Sequence, residues 1–464
     1  MKQQIVNYIE NNKEQMLCDL SGLISIPSVR GEAEEGRPFG KEPYNALVCA
    51  LDMAYKAGFD TVDYDGYVGA VDYNKNETEL AIFAHLDVVA AGDGWNTDPF
   101  EMTENNGVLY GRGVSDDKGP AIAAFYAFKA LKNCGVKLKK NVRLVLGTDE
   151  ECGSGDLDYY FTKEKAPRWS FTPDANFPVI NGEKGRFSKR FSAEYAQTDS
   201  GRYVKKIKGG VAGNAVPSFC EAEICGISDD ELLPAAQSAA QETGTSFTVE
   251  NGKVVCNGTS AHASLPELGN NPITAMIRFL SAVDLDENGS KKIVDSIASM
   301  FPHGDWLGKS FGIDSEDKLG KLTLTLDIID MADGKISGWF DSRTPMSANE
   351  ENCAYKINSI MNTNGFELED TQMTKAHYVD ENSSFIKTLL KKYEEFTGEK
   401  GECLCMGGGT YVHDIEGGVA FGAVRKDLNT NMHGANEFMY VEDIIKAAEI
   451  FAMVIAEVCG VEDE

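Results

Sequence analysis

Two short apolar runs place the strongest constraint on the fold of this chain. Residues 80–86 read Leu-Ala-Ile-Phe-Ala-His-Leu, and residues 141–147 read Asn-Val-Arg-Leu-Val-Leu-Gly. Short, nearly continuous apolar runs are typical of strands that are buried on both faces of a parallel sheet. Residues 119–132 between them carry Ala, Phe and Leu at helical spacing, and another strand is predicted at 169–172. Strands that alternate with helices predict an α/β fold.

The pattern changes near residue 185, where alternating stretches replace the apolar runs. Residues 187–195, 219–224 and 247–256 alternate, with Asn251-Gly252 at a hairpin turn, and a second hairpin is predicted at 321–340 around Asp333-Gly334. The other elements predicted here are helices at 272–283, 291–300 and 350–361 and a strand at 368–377. We therefore predict an α+β insertion, residues 185–378, within one discontinuous outer domain. That domain comprises residues 1–184 and 379–464, and its predicted helices include 3–24, 44–58 and 441–458.

The composition excludes several classes of partner. The chain has 464 residues, with 44 Lys and Arg against 73 Asp and Glu, so its formal net charge is −29. Nucleic acids and anionic membranes attract basic surfaces, so neither is an expected partner. The sequence has no apolar run long enough to span a bilayer, and its first twenty residues lack the apolar stretch of a signal peptide. The eleven cysteines have no framework spacing, so we expect reduced thiols and a cytoplasmic location.

Acidic residues follow the predicted strands in a repeated way. The polar sites, in chain order, are His85 with Asp87, Asp116 with Asp117, Glu150 with Glu151, and Asp174. Taken singly, each fits a plain structural role, such as a hydrogen-bonded histidine, a helix N-cap or an exposed acidic loop. Ligands of open α/β sheets, however, bind at the carboxyl ends of the strands, and adjacent carboxylates repel unless a proton or cation lies between them. Carboxylates mixed with imidazole suit zinc, manganese or cobalt.

One histidine cannot complete two metal sites, so a second is needed. His433 is the favoured candidate because it lies in the resumed outer domain, ahead of Glu437 and the final helix. His413 directly follows the loop Gly-Gly-Gly-Thr-Tyr at 407–411 and remains an alternative. That loop is not a phosphate-binding loop, because no Lys followed by Ser or Thr comes after it.

The ordered set of motifs resembles a known family. It is similar to the di-zinc metallopeptidases that include aminoacylase, carboxypeptidase G and succinyl-diaminopimelate desuccinylase, and within them to the PepV-type dipeptidases, which resemble carnosinases. The resemblance implies a mixed-sheet catalytic domain of zinc-exopeptidase type, an inserted lid domain and two divalent ions, zinc first with manganese or cobalt as alternatives. It also implies a role for each polar site: His85 and Asp174 for one ion, Glu151 and His433 for the other, Asp116 bridging, Glu150 as general base, and Asp87 beside His85 as a further catalytic residue.

The inserted region carries further motifs that resemble the dipeptidase branch. His262, in Gly-Thr-Ser-Ala-His-Ala, is similar to the family's lid histidine, which would stabilise the oxyanion. Asn214 and Arg343 match the branch's substrate contacts, and Gly408 and Gly409 would offer backbone groups to the substrate. The insertion is similar in size to the enlarged lid that replaces a partner subunit, so a monomer is expected.

The sequence therefore predicts a metal-dependent dipeptidase that hydrolyses small free peptides, with Glu150 as general base. One alternative is an N-acyl-amino-acid deacylase of the same family, which the metal site alone does not distinguish. A second alternative is a non-catalytic metal-binding protein. The presence of Glu150 argues against it, since a structural site requires ligands but no base.

Overall fold

The computed structural model describes residues 1–462, which form eleven α-helices and twenty-seven strands, many of them short. The helices are α1 Lys2–Asn11, α2 Lys13–Ile24, α3 Lys41–Lys56, α4 Lys118–Asn133, α5 Gly155–Tyr160, α6 Asp229–Thr243, α7 Pro272–Leu280, α8 Gly289–Met300, α9 Tyr355–Thr363, α10 Ser384–Thr397 and α11 Val441–Cys459. The strands are β1 Asp60–Tyr64, β2 Val68–Asp72, β3 Thr78–His85, β4 Thr103–Asn105, β5 Val108–Tyr110, β6 Asn141–Gly147, β7 Trp169–Thr172, β8 Ala175–Asn176, β9 Val179–Glu183, β10 Gly185–Arg186, β11 Lys189–Glu194, β12 Tyr203–Gly209, β13 Ala215–Val216, β14 Phe219–Cys225, β15 Ser246–Glu250, β16 Lys253–Asn257, β17 Ala261–His262, β18 Glu316–Asp317, β19 Gly320–Lys321, β20 Thr323–Ala332, β21 Lys335–Thr344, β22 Glu367–Leu368, β23 His377–Tyr378, β24 Cys403–Met406, β25 Gly418–Ala420, β26 Ala423–Val424 and β27 Phe438–Tyr440.

The chain forms two compact units. The first comprises Met1–Gly182, Tyr378–Leu404 and the chain from Gly409 onward, and the second comprises Glu183–His377 and Cys405–Gly408. None of the helices within residues 1–462 combines the length and apolar character that a membrane span requires.

The first unit is built on a mixed sheet with the order β1-β2-β6-β3-β7-β25-β9. Strands β6, β3, β7 and β25 are parallel to one another, whereas β1, β2 and β9 pair antiparallel. The predicted α/β fold with a mixed sheet is confirmed. Because β3, β6 and β7 run the same way, their carboxyl ends meet at one edge of the sheet.

Two helices form much of the core of the first unit. Nearly every residue of α4 from Lys118 to Leu131 is buried, and so is most of α11. A helix that is apolar on all sides belongs in the interior, and these two pack against each other. Strand β27 pairs antiparallel with β5, with Phe438 opposite Tyr110, so the loop that precedes α4 and the loop that precedes β27 lie side by side.

The second unit contains another sheet, with the order β15-β16-β14-β12-β20-β21-β11-β22. Its hairpins turn at the predicted places, Asn251-Gly252 and Asp333-Gly334, and all four residues have positive φ. Two-residue turns of this type require positive φ at both central positions, which is why Asn-Gly and Asp-Gly are favoured there.

Three element predictions were wrong or incomplete. The predicted helix at 3–24 is two helices, α1 and α2, which are separated at Asn12. The 15-residue helix α6 was missed, although the reciprocal hydrogen bonds of Ser228 and Glu231 are a recognisable capping box. The strand predicted at 368–377 is only β22 and β23 with irregular chain between them, because the polar residues 369–372 provide no apolar face to pair and bury.

Candidate metal centre

Five segments of the first unit converge at the carboxyl edge of the mixed sheet. His85 is the last residue of β3, Glu151 lies just beyond β6, and Asp174 lies just beyond β7. Asp116 lies between β5 and α4, and His433 lies in the segment before β27. The pairing of β27 with β5 brings these last two loops together, so the fold gathers residues that are up to 348 positions apart, from His85 to His433.

The converging side chains form two groups that share Asp116. In the first triad, His85 Nε2 lies 3.0 Å from Asp116 Oδ1 and 3.7 Å from Asp174 Oδ2. In the second triad, His433 Nε2 lies 2.9 Å from Asp116 Oδ2 and 3.1 Å from Glu151 Oε2. Within each triad the possible ligand atoms lie within 4.8 Å of one another. Each oxygen of Asp116 thus faces a different imidazole, as a bridging carboxylate requires.

The chemistry of His85 fits a cation. Its ring is fully buried, and Nδ1 lies 3.0 Å from the carbonyl oxygen of Asp87. Because a carbonyl only accepts hydrogen bonds, Nδ1 carries the proton and donates it there. Nε2 then presents either a lone pair or a second proton to the carboxylate of Asp116. A lone pair facing carboxylates is stable only with a cation between them, and imidazole with carboxylates is a donor set suited to zinc.

Negative charge dominates the electrostatics of this edge. Burial raises the pKa of Glu150 well above its ordinary value, and the charges of Asp174 and Glu151 raise it further, against the opposing effect of His85. Hydrogen bonds to Asp116 and then to Glu151 raise the pKa of His433 to about 11. Buried carboxylates that cannot all ionise, beside imidazoles that hold protons tightly, form a site that favours divalent cations.

Asp87 contacts the site in two ways. Its carbonyl accepts from His85, while its carboxylate accepts the N–H groups of Glu150 at 3.2 Å and Glu151 at 3.1 Å. The carboxylate lies 3.5 Å from His85 Nδ1, farther than the carbonyl, because β3 ends at His85 and the chain leaves the strand there. The backbone carbonyl of Asp87 therefore orients the His85 ring. The carboxylate of Asp87 holds the turn that follows β6.

Asp117 contacts the first triad through the backbone of His85, a contact that the sequence did not predict. It is buried, and its Oδ2 accepts the backbone N–H of His85 at 3.0 Å. The peptide bond between Asp116 and Asp117 is cis. The sequence analysis also missed two buried pairs beside the metal residues, Arg112 with Glu437 and Tyr411 with Asp156. Two features of the sequence could have indicated the first pair: Arg112 lies between two glycines, and Glu437 follows His433 by four residues.

The second unit brings Asn214 and His262 together. Ala215 on β13 pairs with His262 on β17, and the N–H of Ala263 donates to the carbonyl of Asn214 at 2.9 Å. His262 Nδ1 lies 2.7 Å from Ser264 Oγ. These two candidate residues are therefore neighbours, held on a short two-stranded ribbon.

Arg343 lies on β21 of the same unit and is almost fully buried. Its Nε donates to Asp341 Oδ1 at 2.6 Å, its Nη2 donates to Asp341 Oδ2 at 3.2 Å, and its Nη1 donates to the carbonyl of Gly407 at 2.6 Å. Gly407 packs so closely on Ser264 that any side chain there would collide with it. Arg343, Gly407 and the ribbon with His262 are thus linked within the second unit, to which Gly408 also belongs, while Gly409 begins the next segment of the first.

The alternative histidine, His413, is placed differently. It follows Tyr411 in a tight turn, where its N–H donates to the carbonyl of Thr410 at 3.0 Å. In the part of the chain that the structure describes, the second triad contains His433, and neither triad contains His413.

Comparisons with known proteins place the chain in a family. Residues 81–457 match Peptidase family M20/M25/M40. The chain is a member of this family. It is 36% identical over 469 residues to the Beta-Ala-Xaa dipeptidase of Lactobacillus delbrueckii subsp. lactis, with 98% of each chain covered. Among solved structures it resembles human carnosine dipeptidase 1, with a TM-score of 0.61, 16% identity and coverage of 99% of this chain and 98% of that one.

A second solved structure has a similar fold. A di-peptidase of Saccharomyces cerevisiae also has a TM-score of 0.61, at 15% identity, with 99% of this chain and 98% of that chain covered. The matched segment of the M20/M25/M40 family includes every residue of both triads, from His85 to His433. The candidate metal centre therefore belongs to the part of the chain that defines family membership.

Proposed function

We propose that this protein is a metal-dependent dipeptidase that cleaves the peptide bond of small free peptides. The observation that carries the proposal is the pair of triads that share Asp116, with Glu150 directly beside the ligand Glu151. The 36% identity to a Beta-Ala-Xaa dipeptidase over almost the whole of both chains supports the choice of dipeptides among the substrates of peptidases.

Two divalent ions are the proposed cofactors, one in each triad. Zinc is the first choice because imidazole and carboxylate together suit it, and manganese or cobalt are the alternatives. Bound there, the ions would supply a water of lowered pKa and would polarise the carbonyl of the scissile bond. His85 and Asp174 would hold one ion, Glu151 and His433 the other, and Asp116 both.

Glu150 is the proposed general base. Its position is fixed by the hydrogen bond from its own N–H to Asp87, and burial raises its pKa well above the ordinary value of a glutamate. A raised pKa makes the carboxylate a stronger acceptor of protons. Its carboxylate would take a proton from the attacking water and return it to the leaving amine, while Asp87 holds the turn that carries it.

All of the proposed substrate contacts except Gly409 lie in the second unit, and we infer that residues 185–378 are the enlarged lid. Arg343 would bind the substrate's C-terminal carboxylate, because its guanidinium has five N–H groups and the contacts with Asp341 and Gly407 use three. Asn214 would bind the same end of the substrate, and His262 would donate to the oxyanion. Gly408 and Gly409 would offer backbone groups.

We infer a cytoplasmic location and a monomeric state. All eleven cysteines are free, which favours the reducing environment of the cytoplasm. The large inserted unit favours a monomer, and size-exclusion chromatography with light scattering would test it directly.

The test is a substrate panel on purified protein with measured metal content. We expect two equivalents of metal and hydrolysis of dipeptides, with β-alanyl dipeptides, D-residue dipeptides and N-acetyl-amino acids compared at equal concentration. Preferred cleavage of N-acetyl-amino acids would replace the dipeptidase by a deacylase.

A base variant tests the chemistry separately. Glu150→Gln should retain both metal equivalents and lose about 100- to 10,000-fold in kcat, the usual contribution of a positioned acid–base group. Near-normal turnover by that variant with metal bound would exclude Glu150 as the base. Two bound equivalents without hydrolysis of any amide by the unaltered protein would favour a metal-binding role.

A further inference from the structure

The segment that carries His433 is held in an unusual backbone conformation. Asn431, His433 and Asn436 have φ values of 56°, 60° and 57°, all in the left-handed region. Residues other than glycine rarely adopt this region, and they persist there only where surrounding contacts enforce it. The side chain of His433 is also 55% exposed, so packing around the imidazole does not fix its place. Some other contact must hold this segment against the loop with Asp116.

The carboxylate of Glu437 provides that contact. Glu437 is fully buried, and five donors from the loop before α4 converge on its two oxygens. The donors are Arg112 Nη1 at 2.7 Å, the N–H groups of Gly113 at 3.0 Å, Ser115 at 2.9 Å and Asp116 at 3.2 Å, and Ser115 Oγ at 3.0 Å. The backbone of the shared ligand Asp116 is thus bonded directly to a residue four positions after His433.

Arg112 closes the connection from the other side. Its guanidinium pairs with Glu437, and its Nη2 donates to the carbonyl of Gly434, the residue after His433, at 3.1 Å. Arg112 is 1% exposed, and the ring of Trp95 lies 5.3 Å from its guanidinium carbon. The segment from His433 to Glu437 is therefore held at both ends by one buried ion pair.

We propose that Glu437, acting through Arg112, is a positioning residue for the second triad. The inference rests on the metal-binding function proposed above. A buried ion pair is a poor source of stability, because apolar residues of similar size often serve as well or better. What this pair does supply is a fixed distance between Asp116 and His433.

The first triad has a different support. His85 is the last residue of a central strand, and Asp174 follows β7, which pairs with that strand. Within residues 1–462 neither of them has a hydrogen bond to Glu437; of the first triad, only the shared Asp116 does. Loss of the ion pair should therefore weaken the second metal equivalent, in which both Asp116 and His433 lose support, more than the first, whereas a general loss of stability would affect both alike.

The experiment is a metal titration of the full-length protein after chelation. Binding of Co²⁺ is followed by calorimetry and by the visible absorption of the bound ion, so the readout does not depend on activity. In Glu437→Gln we expect one equivalent to lose about 10- to 100-fold in affinity, the usual cost of removing a group that orients a ligand, and the other to change by less than about threefold. Arg112→Lys keeps the charge and loses the planar fork, and should show the same selectivity.

The control is Glu449→Gln, which removes another buried carboxylate of the first unit. Glu449 is 1% exposed, lies on α11 and pairs with Lys446 at 2.7 Å. It should leave both equivalents unchanged. Unchanged binding in folded Glu437→Gln and Arg112→Lys, or an equal loss of both equivalents, would overturn the inference alone. Wild-type protein that binds no Co²⁺ would overturn the proposed function and this inference with it.

Discussion

Tyr411 donates a hydrogen bond from its phenol to Asp156, next to His85 of the candidate metal centre. Both residues are buried, and Asp156 Oδ2 also accepts the N–H groups of Thr148 at 2.6 Å and Asp149 at 3.0 Å, the two residues that follow β6. The ring of Tyr411 packs edge-on against the His85 imidazole at 6.0 Å. This pair therefore supports both the first histidine and the turn that carries Glu150.

Tyr411→Phe should reduce both stability and turnover. Removing one donor from a buried carboxylate costs about 1–3 kcal/mol, and the turn before Glu150 loses part of its support. The control is Tyr126→Phe. Tyr126 is equally buried and donates to Asp19 over a distance of 2.7 Å, and neither residue belongs to the metal triads. We expect a similar fall in Tm for both variants but a fall in kcat only for Tyr411→Phe. Equal kcat values in the two variants would limit Tyr411 to a structural role.

The central strands and the order of the site residues could be predicted from the sequence. Residues 141–147 and 169–172 match β6 and β7, because buried parallel strands are recognisable as short apolar runs. Each candidate ligand stands at the end of such a run or in the adjoining loop. What single-residue patterns could not supply is the distance between them, which depends on the pairing of β27 with β5.

The supporting residues could not be predicted in the same way. Glu437 and Asp156 are ordinary acids in a chain with 73 Asp and Glu residues, and nothing local marks them as buried. Their roles depend on backbone N–H groups that converge only in the folded chain. The irregular region 369–376 failed for a related reason, since its hydrogen bonds go to distant segments such as the carbonyl of Arg186.

The sharing of Asp116 between the triads predicts unequal effects of two similar substitutions. Asp116→Asn should weaken both metal equivalents, because each of its oxygens faces a different imidazole. Asp174→Asn should weaken only the first, since it belongs to one triad. We expect losses of more than about 100-fold, above the cost of losing an orienting group. Calorimetric titration with Zn²⁺ measures them, and two equivalents of full affinity in Asp116→Asn would contradict a bridging role.

The arginine on β21 should determine the affinity for free carboxylates. Arg343→Lys loses the fork that binds a carboxylate through two N–H groups, so KM for dipeptides should rise about 10- to 100-fold, as expected for a lost hydrogen bond to a charged group. Dipeptide amides lack that carboxylate and should be cleaved alike by the variant and the parent. Arg186→Lys is the matched control, because Arg186 lies 3.3 Å from Asp341 on a more exposed side. An equal rise in KM for acid and amide would contradict the assignment.

Asp327 gives the second unit a pH-dependent stability. It is fully buried on β20. Burial raises its pKa to about 8 and the charge of Asp341 raises it too, while the side chain of Thr325 and the charges of Arg343 and Arg186 oppose the shift. The folded state therefore keeps a proton that the unfolded state loses above pH about 4. Stability should fall as the pH rises from about 4 to about 8, by up to about 1.4 kcal/mol per pH unit.

Asp327→Asn removes this titration, so the difference in stability between variant and parent should shift in favour of the variant as the pH rises through that window. Denaturant unfolding at half-unit pH steps measures the slope for each protein. Asp330→Asn on the same strand is the control, because the Asp330 side chain is 50% exposed and its loss should leave the slope unchanged. Parallel pH profiles for the parent and Asp327→Asn would show that Asp327 is already ionised in the folded protein at neutral pH, with a counter-charge that compensates for its burial.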